Sequence, residues 1–513
     1  CGDFPSPLSA EWGPANQMRL IEQGHHLLPW FAHPVGDAPF DPQEGAFAYY
    51  AGPLARAREL RLPITLVASQ WEKLLSQPPF LDLPAAENPN VATPDGAVLP
   101  KVSPFGPIRP WYDAGRRWTQ TPRIRELQRM YPDPPLVVFV SNNEHQRLAW
   151  TEVETDARYV DRHGKGRDGD YKRQQVANGW IQRYRALQAG LLEGLENRSW
   201  RENASCIGYD AFGPPHFARW GSASPDGRPV DGWIEFALAT PGRIDPAQLT
   251  WDGGRPSYYT HDWNPSTDHT VWSPQVEFMN LVFMRDEAVE LNPRFWFEIS
   301  TWDGYHADPG REKTIPAKRN VYRRAGQIYD PNRYEGFVQF GMWLLRPRVV
   351  RDFRAFTEPW PDKVGDDGTV VHEGGGPYFM ALVAAVDRVH DVPVLREWWR
   401  KGRLVANRAH QHPYESAVPP EYKARDRWFM LATSLDPPRP WQGSTQLAVF
   451  ALALERGTAP DREWLVYAHA PTGDRDGVCV TIPGRKQPVT IDVPVGGAFS
   501  VVSERSGIVK PAY

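Results

Sequence analysis

The chain has 513 residues, and 58 Lys and Arg against 62 Asp and Glu leave a formal charge of −4. At roughly 100–200 residues per domain this length allows two to four domains, and the interleaved charges lack the basic stripe of a protein that lives on phosphate contacts, which argues against nucleic acid as a partner. The 41% hydrophobic content supports a sizeable core, while no apolar run reaches the ~18–20 residues of a membrane helix. Two excesses remain, 52 prolines and 22 tryptophans; long ordered loops and aromatic clefts would account for both.

The first residues, Cys1-Gly-Asp-Phe-Pro-Ser-Pro, resemble a bacterial lipoprotein after removal of its signal. The expectation is a secreted, periplasmic or outer-membrane protein with a lipid anchor at Cys1, although a chain trimmed to begin at a cysteine reads the same way. Cys1, Cys206 and Cys479 are too few for a disulfide framework and have no CxxC spacing.

In chain order, short apolar runs alternate with helix-like stretches. A weak strand at His25–Trp30 and a helix near 48–61 precede a clear strand, Leu62–Ser69. A weak strand at Val98–Val102 and a helix over 109–130 precede Leu136–Ser141. A helix over 170–195 precedes Ala204–Tyr209. A weak strand at Ser257–Asp262 and a helix over 273–291 precede Phe295–Ser300, and a strand at Phe337–Leu345 is followed by a helix over 376–402. The clear strands are nearly continuous in apolar residues, the mark of strands covered on both faces. Eight βα units predict an α/β chain, a TIM (β/α)8 barrel with long loop insertions over residues 1–410. Beyond a Pro-rich join at His412–Pro420 the text changes to strands and turns, Trp428–Leu435, Gln446–Leu454, Glu463–Ala470, Gly477–Ile482, Val489–Val493 and Ala498–Ser503, which predicts an accessory antiparallel β-sandwich over 425–513.

Ser141-Asn-Asn-Glu144 follows directly on an apolar strand, which sets Glu144 at the carboxyl end of a barrel strand, where sites of that fold are built. Glu298 closes the equally apolar Phe295-Trp-Phe run. Two carboxylates at separate strand ends can face each other across one cavity, as retaining glycoside hydrolysis requires: a nucleophile, and an acid that protonates the departing oxygen, about 5–5.5 Å apart. Burial and mutual repulsion would raise one pKa and leave the other carboxyl ionised. Either Glu on its own could equally pair with an Arg at a strand end.

An Asn-Glu closing the fourth strand and a Glu closing the seventh resemble the pattern of clan A retaining glycoside hydrolases, (β/α)8 barrels that cleave equatorial glycosidic bonds. The stretch from Val102-Ser-Pro-Phe-Gly through Tyr131-Pro-Asp-Pro-Pro to Asn143-Glu144 is similar to β-galactosidase-like members. That resemblance implies Glu144 as acid/base, Asn143 on the substrate 2-hydroxyl, Glu298 as nucleophile and Trp343, near the eighth strand, as the aromatic platform beneath the sugar. It does not single out a family within the clan.

Further candidates follow the fifth and sixth strands: Tyr209 and Asp210, then Tyr259, His261 and Asp262, as substrate-binding groups or as ordinary loop polar residues. His25 and His26 could bind hydroxyls or be satisfied strand-end histidines. Trp71, Trp111, Trp263, Trp272 and Trp302 could stack on pyranose faces or pack the core. The histidine spacings give no metal set, Gly374-Gly-Gly376 is an ordinary helix entry, and GxSxG and GxGxxG are absent. The expectation is a retaining β-glycosidase acting on a polysaccharide or its oligosaccharides, β-galactan mildly preferred, with a carbohydrate as its partner and neither metal nor cofactor. The rivals are a catalytically silent carbohydrate-binding barrel and a metal-dependent hydrolase on the same fold.

Overall fold

The computed structural model describes residues 8–10, 22–28, 30–32, 46–69, 71–142, 148–209, 251–255, 296–300, 331–352, 363–364, 370–371, 377–407, 429–437 and 447–513. Its amino-terminal part is an α/β arrangement around one parallel sheet. In chain order the strands are β1 (Leu8–Ala10), β2 (Leu27–Leu28), β3 (Trp30–Ala32), β4 (Ile64–Ser69), β5 (Asn90–Ala92), β6 (Val98–Val102), β7 (Val137–Asn142), β8 (Ala204–Tyr209), β9 (Gly253–Arg255), β10 (Trp296–Ser300) and β11 (Val349–Asp352). The sheet runs β2-β1-β11-β10-β9-β8-β7-β4-β3, and each neighbouring pair is parallel. Its two end strands, β2 and β3, are one residue apart in the chain.

Two expected strands change, and a third falls outside the described residues. Val98–Val102 is extended but pairs antiparallel with β5 in a separate hairpin; its middle residues are exposed, and Pro100 has no N–H to give a central ladder. The Phe337–Leu345 run lies inside a helix, Pro331–Leu345, and the parallel strand follows it as β11. A nine-residue run interrupted only by Gln339 and without alternation suits a buried helix as well as a buried strand. The strand after β8 is Gly253–Arg255, and Ser257–Asp262 lies outside the described residues. With β1 counted and β2 and β3 taken as one strand, Val137–Asn142 and Trp296–Ser300 are fourth and seventh in chain order among the described strands of this sheet.

The helices are α1 (Ala46–Glu59), α2 (Trp71–Leu75), α3 (Arg109–Thr119), α4 (Pro122–Met130), α5 (Ala157–His163), α6 (Gly169–Gly194), α7 (Arg198–Glu202), α8 (Pro331–Leu345), α9 (Pro377–Asp391) and α10 (Pro393–Lys401). The stretches 109–130 and 376–402 each break in two where Pro122 and Pro393 force the preceding residue, Thr121 or Val392, into extended backbone. The Asp168 carboxylate caps α6 by accepting the Tyr171 N–H. α3 and α6 pack at backbone contact through Gly115, Gly190 and Gly194, while Gly179 of α6 abuts the Pro104 backbone; a Cβ on Gly190 would sit 2.0 Å from the Tyr112 carbonyl oxygen. No helix among the described residues is long and apolar enough to cross a membrane.

The parallel sheet is covered on both faces. Val137, Phe139 and Cys206 join the large cluster of helix side chains, whereas Val138, Val140, Ile207 and Val349 form a small buried cluster of their own. The alternation along β7 separates the two sets.

The carboxyl-terminal strands are β14 (Arg403–Leu404), β15 (Ala432–Thr433), β16 (Phe450–Arg456), β17 (Glu463–His469), β18 (Arg475–Thr481), β19 (Val489–Val493), β20 (Ala498–Ser503) and β21 (Val509–Pro511), and two short strands, β12 (Lys363–Val364) and β13 (Val370–Val371), pair before them. They form a five-stranded sheet, β14-β16-β17-β20-β21, and a three-stranded sheet, β15-β18-β19, both antiparallel. Ala451, Ala453, Trp464 and Val466 from the first share a core with Val478, Val480, Val489 and Ile491 from the second. The opposite face of the larger sheet, Phe450, Leu452, Leu454, Leu465, Tyr467 and Phe499, joins the helix cluster. Both faces of that sheet are therefore buried.

Candidate active site

In a parallel sheet all carboxyl ends share one edge. The registers join Phe297 to Gly254, Gly254 to Gly208, Gly208 to Ser141 and Ser141 to Ala68. The next residue along each strand, Glu298, Arg255, Tyr209, Asn142 and Ser69, therefore occupies one level across five strands. On its other side Glu298 pairs with Val349. Asn143 and Glu144, immediately past the end of β7, lie outside the described residues, as do Asp210, Tyr259, His261 and Trp302. Arg255, at this level and directly beside Tyr209, is a strand-end cation that the sequence reading passed over, because Gly-Gly-Arg carries no strand propensity.

Trp343 departs from the expected sugar platform. It sits within α8, fully buried, and its indole N–H donates to the Gln339 side-chain oxygen at 2.9 Å. Trp399 and Phe499 meet its ring edge-on at centroid distances of 5.1 and 5.2 Å. No face of it is open to a ligand. Trp71 and Trp111 are likewise fully buried; Trp71 packs against Trp118 and Trp111 against Trp180 and Tyr184. They build the core between helices.

Glu72 is a second residue missed from sequence. It lies in the first turn of α2, three residues after the end of β4, is fully buried, and its carboxylate accepts the Tyr184 hydroxyl from α6. The signal was present in Ser69-Gln-Trp-Glu72, an acid just past an apolar strand, the same grammar that marked Glu144. Its partner is a helix side chain, and it ties the turn after β4 to α6.

His25 and His26 precede β2 and so lie at the amino-terminal edge, away from the strand ends proposed to bind hydroxyls. Both imidazoles turn to Asp387 on α9. Burial raises the Asp387 carboxyl, but donation from the His26 side chain and backbone and from His25 outweighs it and holds the group below its ordinary value.

No family model and no curated protein matches this sequence. Among solved structures the chain is similar to an Anoxybacillus α-amylase, at 9% identity over 96% of this chain and 90% of that one with a TM-score of 0.40. It is similar to the GH53 catalytic domain of Ignisphaera aggregans, at 13% identity over 74% and 91% with a TM-score of 0.33. A third likeness is to a β-galactosidase from the psychrophilic Marinomonas ef1, at 11% identity over 76% and 62% with a TM-score of 0.37. Likeness at this level carries no inference about the chemistry of this chain.

Proposed function

We propose that the protein is a retaining β-glycoside hydrolase whose nucleophile is Glu298 and whose acid/base is Glu144, set on a closed barrel of eight parallel strands. The observation that carries this reading is the register of Glu298 on Val349, because Val349 belongs with Val138, Val140 and Ile207 to the small cluster kept apart from the helix side. Partnered residues of a parallel pair present to one face, and alternate residues of a strand share it. Two residues beyond Val140 is Asn142, the last of β7, and two beyond Ile207 is Tyr209, the last of β8. This strand parity supports a reading in which the Glu298 position belongs to the enclosed face, with Glu144 and Tyr209 as its proposed neighbours there. Support for closure comes from β2 and β3, the two end strands one residue apart in the chain: β2 pairs with β1 and β3 with β4, the pairing expected of one strand that joins the ends of a barrel.

In this mechanism Glu144 protonates the glycosidic oxygen while the Glu298 carboxylate attacks the anomeric carbon, forming a glycosyl-enzyme ester and releasing the first product. Glu144 then removes a proton from water, which attacks the same carbon and frees Glu298. Asn143 would hold the 2-hydroxyl, with Tyr209, Asp210, Tyr259, His261 and Trp302 as candidate contacts to the sugar. Polysaccharides and their oligosaccharides are the proposed substrates, and a β-galactan is the first to try.

The test is hydrolysis of aryl β-glycosides, with NMR of the first-formed anomer. Glu298→Gln should leave under about 1% of wild-type turnover in a folded protein, since an amide cannot form the ester. Glu144→Ala should lose most activity on poor leaving groups and retain part of it on activated aryl glycosides, which need little protonation. Early appearance of the inverted anomer, or equal losses of Glu144→Ala on both substrates, would sink the assignment. Loss of turnover in EDTA would favour a metal-dependent hydrolase, and sugar binding without turnover a silent binding barrel.

A further inference from the structure

We propose that His26 and Asp391, with Asp387 behind them, form a binding site for a first-row divalent transition metal such as zinc that pins the strand segment at residues 27–28 to α9. Asp387 and Asp391 stand one helical turn apart and face the same neighbour. An ionised carboxylate only accepts, so the 2.9 Å contact of Asp387 Oδ1 with His26 Nδ1 and the 2.7 Å contact of Asp387 Oδ2 with His25 Nδ1 place a proton on both Nδ1 atoms. The His26 backbone N–H donates to the same Asp387 Oδ1 at 3.0 Å. The His26 ring is held further by stacking on His390, with centroids 3.9 Å apart and planes at 14°.

With Nδ1 protonated, neutral His26 carries its lone pair on Nε2, and that atom lies 3.7 Å from Asp391 Oδ1. Two acceptors facing each other at this spacing need a proton or a cation between them. Ligands about 2.0–2.1 Å from a tetrahedral zinc are roughly 3.3 Å apart, so a small side-chain movement admits the ion. One ligand atom each from His26, Asp387 and Asp391 falls within 4.8 Å of the others; with both oxygens of Asp387 accepting from the two Nδ1–H groups, the direct ligands are His26 Nε2 and Asp391, completed by water. The carboxylate–imidazole–metal relay from Asp387 through His26 is the arrangement that orients and strengthens a histidine ligand. Asp391 is 64% exposed, which leaves room for water in the remaining positions. Imidazole with few carboxylates suits zinc, cobalt or nickel, whereas calcium wants six to eight oxygens and magnesium keeps its own water shell. The site lies at the amino-terminal edge of the sheet, so its ion would act on stability, whether or not the glycosidase assignment holds.

The full chain, stripped with EDTA and dialysed, should bind one zinc ion per chain in calorimetric titration, and saturation should raise the melting temperature by roughly 2–4 °C. Cobalt should develop the visible bands of a low-coordinate site. Asp391→Asn, at an exposed position where folding is undisturbed, and His26→Gln should each weaken zinc binding at least tenfold. Asp387→Asn should weaken it by about 10–100-fold, the loss expected of an orienting carboxylate. His163→Gln, at a distant histidine, should leave it unchanged. Absence of saturable zinc binding, zinc binding unaltered in Asp391→Asn, or tighter binding of magnesium or calcium than of zinc would overturn the proposal.

Discussion

Removal of residues 427–513 should cripple the rest of the chain, because the larger antiparallel sheet completes the core of α8 rather than hanging from it. The Phe340 ring lies 5.6 Å from Phe450, Trp343 lies 5.2 Å from Phe499, the Tyr467 hydroxyl donates to the Gly336 carbonyl at 2.8 Å, and the Arg456 guanidinium covers Trp398 at 4.2 Å. Full burial of one large apolar side chain is worth about 1.5–3 kcal/mol. Uncovering roughly half of Phe340, Trp343 and Trp398 would cost on the order of 2–4 kcal/mol, and the Tyr467–Gly336 hydrogen bond is lost as well. That is a large part of the roughly 5–15 kcal/mol that holds a domain folded. The assay is urea unfolding of the full chain and of residues 1–426, followed by far-UV circular dichroism and tryptophan fluorescence. The full chain should unfold with both signals together, and the shortened one should be insoluble or melt well below it. A soluble fragment with unchanged midpoint and activity would refute the reasoning and make the sheets an independent module. A milder arm is Phe450→Ala, which should cost about 3–5 kcal/mol.

Gly190→Ala would gain up to about 1 kcal/mol in helix propensity, but its Cβ would meet the Tyr112 carbonyl oxygen at 2.0 Å; the net effect should be a loss of about 2 kcal/mol in urea unfolding, and a neutral result would mean that α3 and α6 do not touch there. His469 is fully buried, and desolvation lowers its pKa from 6.5 to about 3, so between those values the unfolded chain binds the extra proton and stability falls as pH drops through that window. His469→Gln should flatten the dependence of stability on pH between 6 and 4, and an unchanged slope would remove His469 as its source. Asp387 works in the carboxylate range: its pKa is depressed in the fold, so its contribution is present above the unfolded value and is lost as pH falls through the folded one, and Asp387→Asn should shift the acid midpoint upward.

The strands that the sequence made legible are Ile64–Ser69, Val137–Asn142, Ala204–Tyr209 and Trp296–Ser300, each apolar enough to be read as covered on two faces. Those it hid are short or poor in strand formers: Leu8–Ala10 has three residues and Gly253–Arg255 opens on two glycines. Val98–Val102 is a strand outside the parallel sheet and Leu8–Ala10 is one of its strands that was missed, and the two offset each other, so among the described residues Val137–Asn142 and Trp296–Ser300 keep the fourth and seventh places of that sheet in chain order. The His26 and Asp387 contact spans 361 residues, and no local pattern announces a partner at that separation. Glu72 shows the converse, a strand-end acid whose local signal is that of a site and whose partner is a helix tyrosine.

Trp343 shows why a local pattern can fail even when the contact is near. Its indole donates to Gln339, four residues earlier, and residues i and i+4 share a face in a strand as well as in a helix. The pair therefore fits either state, and the composition of the run does not choose between them. What decides is at the ends. Pro331 opens the segment with a backbone preset for a first helical turn, and Arg346 takes the left-handed conformation at φ 49° just ahead of Pro347, the stop signal of a helix. A strand ending at Leu345 needs neither. With the segment turned into a helix, Trp343 passes from a proposed sugar platform to the joint between α8 and the antiparallel sheet.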